Sequence, residues 1–260
     1  MSQPFGGPEQ VTFLIGGLGA GKTELALNLS LWNAAQLGPG KSHLLDLDII
    51  NPFFRVRRLR AALEAAGVVL VTPDPRVQNG DLPALPARVW AAFEQPGHPI
   101  VCDVGGGELG LRPLARLTGL AGRRPVQVLC VINPYRPGCQ TVEQVVAAMR
   151  RYSELSALTI THLVANPHLA AETTPEVFEA GLARLRAVAD QVHLPLAFAM
   201  MSDALAVAYG DRLVPAATAR AGGFATLDGL PVFVIRRFWE DPWHLGCKSD
   251  DVPPCGPTGA

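Results

Sequence analysis

The chain has 260 residues, of which 48% are hydrophobic and 17% are charged. This composition supplies a substantial core and excludes a largely disordered chain. Lysine and arginine number 22 and aspartate and glutamate 23, so the net charge of −1 provides no global field that would hold nucleic acid or an anionic membrane. We therefore do not expect nucleic acid as a partner.

No export or membrane segment is evident. Residues 1–10 contain no basic stretch followed by an apolar one, and the longest uncharged apolar run, Val126–Ile132, is too short to cross a bilayer. The five cysteines form no CxxC pair, which favours reduced thiols, and Cys102 and Cys130 lie in apolar runs typical of a core. These features predict a cytoplasmic protein without a transmembrane segment.

Eight short apolar runs follow one another along the chain, and most are continuous rather than alternating. This pattern predicts strands that are buried on both faces of a parallel sheet. The runs are residues 11–15, 44–50, 68–71, 100–104, 126–132, 158–165, 196–200 and 232–235. Segments with helical spacing lie between them, and Thr141 and Thr174 are predicted to cap two of these helices.

The alternation of strands and helices predicts an α/β fold, a three-layer α/β/α sandwich with a mostly parallel, doubly wound sheet. In such sheets the ligand site lies at the carboxyl ends of the strands. We assign residues 1–238 to one P-loop nucleotide-binding domain. Residues 239–260, which contain four prolines, are predicted to form an irregular tail.

A phosphate-binding motif follows the first predicted strand. Residues 16–23 read GGLGAGKT, match the pattern GxxxxGK(S/T) and run directly into a helical segment. Glycines allow successive backbone N–H groups to converge on phosphate oxygens, and the positive end of the helix adds to this attraction. The alternative is an ordinary glycine-rich turn before a helix. The predicted nucleotide contacts in this segment are Gly17, Leu18, Gly19, Ala20, Gly21, Lys22, Thr23 and Glu24.

Two of these residues have predicted chemical roles, and acids at later strand ends complete the site. Lys22 is predicted to bridge the β- and γ-phosphates and the Thr23 hydroxyl to ligate Mg²⁺. Asp46 and Asp48 form a DxD motif whose side chains share one face of an extended chain, and Asp103 opens a DxxG motif. Alone, each acid is equally typical of a helix cap or a turn.

We predict that Asp46 and Asp103 serve the Mg²⁺ and that Asp48 orients the attacking water. The last glycine of the DxxG motif, Gly106, is predicted to present its N–H to the γ-phosphate and to move when that phosphate leaves.

These motifs resemble those of the MinD/ParA-like P-loop ATPases, of the CobQ/CobB/MinD/ParA nucleotide-binding type, in the SIMIBI class that also includes the signal-recognition GTPases. The resemblance covers residues 11–235 and implies ATP and Mg²⁺ as ligands. It also implies that the second acid of the DxD motif, Asp48, positions the hydrolytic water. An asparagine after a late strand reads the base in that family, which implies that Asn166 and its neighbour Pro167 contact adenine. Asn133, at an adjacent strand end, is the second choice.

The chain departs from that family at the second position of the phosphate loop. Many members carry a lysine there that reaches the partner's nucleotide in a dimer, whereas this chain has Gly17. The membrane-binding C-terminal amphipathic helix of the family is not evident, because prolines interrupt the tail. A homodimer and an unidentified client protein both stay open as partners.

We interpret the chain as a Mg²⁺-dependent ATPase that hydrolyses ATP to ADP and phosphate and thereby switches its shape for a partner. One alternative is a metal-delivery GTPase, which expects a cysteine metal motif and a guanine-reading acid that the sequence after Asn166 lacks. A second is a small-molecule kinase or ligase of the dethiobiotin-synthetase type, in which Asp48 activates a substrate group. A third is a nucleotide-binding scaffold without catalysis.

Two further clusters have no assigned role. Four arginines within residues 55–60 either sense phosphate, contact a partner, bind nucleic acid or form a solvated helix start. His244, Cys247 and Cys255 lack the regular spacing of metal ligands.

Overall fold

Ten strands of the described chain form one sheet, in a computed structural model that describes residues 7, 9–48, 56–72, 87–117, 119, 123–215 and 223–238. The strands are β1 (Val11–Ile15), β2 (Ser42–Leu47), β3 (Val68–Val71), β4 (Ile100–Val104), β5 (Val126–Ile132), β6 (His162–Ala165), β7 (Leu196–Ser202), β8 (Leu213–Pro215), β9 (Gly223–Leu227) and β10 (Leu230–Ile235). Their order across the sheet is β3-β2-β4-β1-β5-β6-β7-β10-β9-β8. All neighbours from β3 to β10 are parallel, whereas β9 and β8 are antiparallel additions at one edge.

Seven helices of the described chain lie between the strands, and three of them begin at a side-chain cap. They are α1 (Lys22–Leu37), α2 (Arg60–Ala65), α3 (Ala87–Glu94), α4 (Glu108–Leu111), α5 (Val142–Ser156), α6 (Pro175–Val192) and α7 (Asp203–Tyr209). Thr141 accepts a hydrogen bond from the Gln144 N–H at the start of α5 and forms a capping box with that residue. The Thr174 side chain caps α6 by accepting a hydrogen bond from the Val177 N–H at 3.3 Å. Both caps predicted from the sequence are confirmed.

The sheet is buried on both faces, as the continuous apolar runs predicted. In β1, Phe13 and Ile15 belong to one core cluster and Leu14 belongs to the other. Helices α1 and α2 cover the Leu14 face, and α3, α5 and α6 cover the opposite face. Each fully buried side chain of this size contributes about 1.5–3 kcal/mol. The predicted three-layer α/β fold is confirmed.

The predicted strand limits differ from the observed ones in four places, and the runs at 196–200 and 232–235 yield the longer strands Leu196–Ser202 and Leu230–Ile235. The run at 44–50 yields a strand over Ser42–Leu47, and the run at 158–165 yields one over His162–Ala165. In the last case the Val128 N–H donates to the Thr161 hydroxyl at 3.0 Å, while the Val128 carbonyl accepts from both the Thr161 N–H at 3.0 Å and the Thr161 hydroxyl at 3.1 Å. The side chain therefore takes the Val128 N–H that would otherwise pair with a backbone carbonyl before β6.

Several sequence-based predictions fall outside the described residues. They include the tail at 239–260 with His244, Cys247 and Cys255, and most of the arginine cluster. Among the described helices, none combines the length and the hydropathy that a bilayer crossing requires.

Candidate nucleotide site

The loop at residues 16–23 joins β1 to α1 and has a shape that requires glycine. Gly16, Gly19 and Gly21 have φ angles of 147°, 72° and 100°. A Cβ atom on Gly16 would lie 2.3 Å from the Val131 carbonyl oxygen, and one on Gly21 would lie 2.3 Å from Asn166 Nδ2. Side chains are therefore excluded both by backbone conformation and by close contacts.

The start of α1 presents unpaired backbone donors. Its N-cap residue, Gly21, supplies no side-chain cap, and the first helical hydrogen bond runs from the Leu25 N–H to the Gly21 carbonyl at 3.0 Å. The N–H groups of Lys22 and Thr23 precede that bond and have no carbonyl partner within the helix. Together with the positive end of the helix, they form an anion-binding surface.

Lys22 lies folded back over this loop. Its Nζ donates to the carbonyls of Gly16 and Gly17 at 3.0 and 2.9 Å, and the residue is only 6% exposed. Burial lowers the pKa of Lys22, while the nearby Asp103 and Asp48 carboxylates raise it. The amine is thus fixed at the loop by three independent features: loop carbonyls, burial and acidic neighbours.

The acids predicted to serve Mg²⁺ lie side by side. Asp46 on β2 and Asp103 on β4 are register partners, and the Asp103 carboxyl is hydrogen-bonded to the Thr23 side chain. Burial, followed by the nearby Asp46, raises the pKa of Asp103 to about 7, and Lys22 and Thr23 oppose this shift. A cation at this position would favour the charged carboxylate.

One carboxylate oxygen of the Asp46 and Asp103 pair could accept a hydrogen bond from a metal-bound water. Asp103 Oδ1 is buried and has no hydrogen-bond partner among the described residues. Within the same residues no group of three or more His, Cys, Asp or Glu side chains is placed to hold a metal. Mg²⁺ does not need such a group, because it binds through one or two protein ligands, substrate phosphates and several waters. The hydroxyl of Thr23 and the two carboxylates therefore fit Mg²⁺.

The DxxG segment contacts both Asp48 and the phosphate loop. A Cβ on Gly105 would lie 2.7 Å from Asp48 Oδ1, and one on Gly106 would lie 3.0 Å from the Leu18 Cα. The Asp48 N–H in turn donates to Asp46 Oδ1 at 3.2 Å. Because these contacts are close, a shift of the DxxG segment must be accommodated by Asp48 and by the loop.

The two candidate base-reading asparagines differ in their contacts. Asn166 is buried, and its Nδ2 donates to the Ala20 carbonyl at 2.7 Å, so it joins the end of β6 to the phosphate loop. Asn133 instead folds its own loop, because Nδ2 donates to the His168 carbonyl at 2.8 Å and Oδ1 accepts from the Tyr135 N–H at 3.0 Å. Asn166 is therefore the better placed of the two.

Three other predicted residues have structural contacts. The Cβ of Pro167 lies 2.5 Å from where a Cβ on Gly181 of α6 would stand, so the ring packs against that helix. The Glu24 carboxylate accepts from the Phe238 N–H at 3.1 and 3.2 Å and so joins α1 to the chain after β10. Arg60 donates to Glu64 and Thr72 and ties α2 to the end of β3.

Sequence reasoning missed two residues that touch the phosphate loop. Arg136 donates through Nε to the Gly19 carbonyl at 3.2 Å. The Tyr152 hydroxyl lies 3.2 Å from where a Cβ on Gly17 would stand, in the space that a side chain at this loop position would need. Arg136 could have been found from the sequence, because it is a basic residue shortly after β5, the strand that pairs with β1. Nothing in the sequence pointed to Tyr152.

Comparison with known proteins supports the fold. No family model and no curated protein matches the chain. Among solved structures, it is similar to the cell division protein FtsY of Thermotoga maritima, with a TM-score of 0.50 and 18% identity over 75% of this chain and 62% of that chain. Chloroplast FtsY of Physcomitrella patens gives a TM-score of 0.52 and 18% identity over 76% of this chain and 60% of that chain.

The chain thus spans about three-fifths of the length of these two structures. At such low identity the likeness concerns the fold alone, the α/β fold that this chain shares with FtsY. The narrower MinD/ParA-like type stays a prediction.

Proposed function

We propose that this chain binds a nucleoside triphosphate with Mg²⁺ and hydrolyses it, using the reaction to change its own conformation. The observation that carries this proposal is the buried Lys22 amine, held by two loop carbonyls beside Asp48 and Asp103. A buried cation surrounded by uncapped helical N–H groups and adjacent carboxylates is suited to a polyphosphate with its metal. An ordinary glycine-rich turn would not require such an arrangement.

Each side chain has a defined part in this reaction. The N–H groups of residues 18–24 and the Lys22 amine bind the phosphate oxygens, and Thr23 with Asp46 and Asp103 holds Mg²⁺. Bound Mg²⁺ supplies neutralisation of the charge that develops on the phosphates. Asp48 orients the attacking water, and the Gly106 N–H contacts the terminal phosphate. Hydrolysis therefore changes what the DxxG segment can contact.

We propose ATP as the nucleotide and the MinD/ParA-like type as the subtype. The DxD pair and the placement of Asn166 against the phosphate loop support this assignment. The residues after Asn166 are Pro167, His168 and Leu169, which include no acid to accept the hydrogen bonds of guanine. The likeness to FtsY gives no preference between the bases.

The test is calorimetry with ATP, GTP and their non-hydrolysable analogues in the presence of Mg²⁺. We expect saturable binding of ATP, weaker binding of GTP, and a loss of about 100-fold or more in affinity in Lys22→Ala, equivalent to about 2.7 kcal/mol. Lys41→Ala is the matched control, because Lys41 is exposed and lies outside the site. Equal ATP affinity in the wild type and Lys22→Ala would overturn the proposed site.

Measurement of phosphate release then distinguishes the proposed switch from a kinase or ligase and from a non-catalytic scaffold. Basal release without any added metabolite supports the switch, whereas release that requires one metabolite identifies a kinase or ligase. Tight binding with no release identifies a scaffold.

A further inference from the structure

A cavity of about 600 Å³ lies beside the phosphate loop, between the loop, α4 and α5. This volume falls in the range of about 300–1,000 Å³ that is typical of small-molecule sites. The apolar wall of the cavity includes Val145, Met149 and Cys130. The edge toward the phosphate loop includes Gly17 and Gly19. Residues 17–20 of the phosphate loop form one side of the cavity, whereas Lys22, Thr23 and the three aspartates do not line it.

Two polar groups in this cavity have unused hydrogen-bonding capacity. Within the described part of the chain the Tyr152 hydroxyl has no hydrogen-bond partner, and burial raises the pKa of Tyr152 to about 12, so the group stays a donor. Arg136 is exposed at the rim and uses Nε for the Gly19 carbonyl. Its two terminal nitrogens have no partner among the same residues, and they form a fork suited to a carboxylate.

The other charges at the rim cancel. Arg151 Nε donates to Glu108 Oε1 and Arg151 Nη2 donates to Glu108 Oε2, each at 2.9 Å, so the two side chains form a bidentate ion pair. Among the described residues that line the cavity, the charge that remains is therefore the cation of Arg136. A molecule with an apolar body and one negative charge matches this combination of walls and rim.

We propose that this cavity binds an amphipathic monocarboxylate, with its hydrocarbon body against Val145 and Met149 and its carboxylate on Arg136 and Tyr152. The occupant would lie against residues 17–20 of the phosphate loop, while Lys22, Thr23 and the three aspartates lie outside the cavity lining. It therefore acts as an effector of the nucleotide site and not as the phosphoryl acceptor.

The walls of the cavity supply the coupling. They include Gly17 and Gly19 of the phosphate loop and Gly107 and Glu108 of the segment that follows the DxxG motif. Gly106 packs closely on Leu18, so the two segments are already in contact with each other. A ligand that touches both segments changes the free energy of their arrangement and hence the affinity for nucleotide. This coupling rests on the proposed function, whereas binding in the cavity does not.

The experiment uses the full chain and a series of saturated monocarboxylates from hexanoate to dodecanoate as probes. Calorimetry should show saturable binding of at least one member, with the matching alcohol and amine binding about 10-fold more weakly or not at all. Arg136→Gln should weaken carboxylate binding about 10-fold, and Ala148→Trp, which fills the cavity, should abolish it. Arg150→Gln, an exposed arginine of α5 outside the cavity lining, is the control and should bind as the wild type does.

A second readout does not depend on a folded variant. Cys139 is half-buried and lines the cavity, so the carboxylate should slow its alkylation by iodoacetamide in the wild type, as followed by peptide mass mapping. ATP affinity measured with and without saturating carboxylate should change about 5-fold, and the carboxylate affinity should change by the same factor when ATP is present.

The outcomes separate this inference from the proposed function. Nucleotide binding with no carboxylate binding overturns the cavity site alone. Carboxylate binding by a wild type that binds no nucleotide supports the cavity site and overturns the proposed function with its coupling. Equal binding of the carboxylate, alcohol and amine, or unchanged carboxylate binding in folded Ala148→Trp, overturns the assigned ligand class or location.

Discussion

At the scale of single residues, the two glycines that bound α1 offer a comparison within one helix. Gly21 at its N-cap and Gly38 at its C-cap have similar φ angles, 100° and 95°. A Cβ on Gly21 would lie 2.3 Å from Asn166 Nδ2, whereas one on Gly38 would meet no atom within 4 Å. Backbone strain is therefore common to both positions, but only Gly21 adds a steric conflict with the candidate site.

We expect Gly21→Ala to lower ATP affinity by about 10-fold or more, because Asn166 and the loop must move apart. Gly38→Ala should reduce the free energy of unfolding by about 1–3 kcal/mol and leave affinity unchanged. Calorimetry and urea denaturation of both variants check this. Equal affinities in the two variants would show that the contact between Asn166 and the loop has no part in binding.

Asp48 is the residue on which the proposed hydrolysis depends. Asp48→Asn keeps the shape of the side chain but removes the charge that orients water, so we expect ATP affinity within about 2-fold of wild type and a rate of phosphate release lower by about 100-fold. Asp190→Asn, at an exposed position of α6, should change neither quantity. A normal rate in Asp48→Asn would place the water-orienting group elsewhere.

At the scale of elements, α1 carries two buried asparagines with opposite expected effects on stability. Asn28 exchanges two hydrogen bonds of 2.9 Å with the backbone of Arg236 and so attaches α1 to the chain after β10. Asn33 is 1% exposed, and its side-chain oxygen and nitrogen have no hydrogen-bond partner among the described residues. Buried polar groups without hydrogen-bond partners lower the free energy of unfolding, and Asn33 already has this effect. Replacing Asn28 would create the same effect at its backbone partners, which would lose their hydrogen bonds.

Asn28→Leu should therefore lower the free energy of unfolding by about 1–3 kcal/mol, and Asn33→Leu should raise it by a similar amount. Urea denaturation of both single variants measures the difference. Since both substitutions place the same side chain in the same helix, intrinsic helix propensity cancels between them. A loss of stability in both variants would contradict the contrast.

The elements also show how far sequence reasoning reaches. All eight predicted strands are present, because a strand buried on both faces leaves a continuous apolar run that can be read directly. The two antiparallel edge strands were missed. Of these, β9 alternates between buried and less buried residues and β8 has only three residues, so neither produces such a run. The positions of the glycines and acids followed from motifs, whereas the contact of Tyr152 with the loop depends on how α5 packs, which no local pattern encodes.

At the scale of the whole molecule, the two ends of the sheet carry different ionisable groups. The candidate site lies at the carboxyl ends of the strands. Near the opposite ends, the His43 and His98 rings stack with their centroids 3.7 Å apart, and Arg124 donates to the backbone of both His98 and Gln95. Burial, with further contributions from His98 and Arg124, lowers the pKa of His43 to about 4. The pKa of His98 is also lowered, mainly by burial.

Both histidines are therefore neutral in the folded chain at pH 7, while in the unfolded chain they take up protons below about pH 6.5. A lowered histidine pKa contributes stability that is fully present above about pH 6.5 and is lost as the pH falls, for His43 toward about 4. For His43 the loss approaches about 1.4 kcal/mol per pH unit, and His98 adds to it in the same direction. Asp103 acts in the opposite sense, since its raised pKa adds stability as the pH falls from 7.

Comparison between variants isolates the histidine contribution from that of Asp103 and the other carboxylates. We expect His43→Gln to be less stable than wild type at pH 7.5, because it loses the ring stack, and to lose less stability between pH 6.5 and 4.5. Urea denaturation across this range measures both slopes. His193→Asn, at an exposed position with φ of 53° that asparagine tolerates, should keep the wild-type slope. If the free energy of unfolding of His43→Gln fell with pH as steeply as that of the wild type, the stacked histidines would not be the source of this pH dependence.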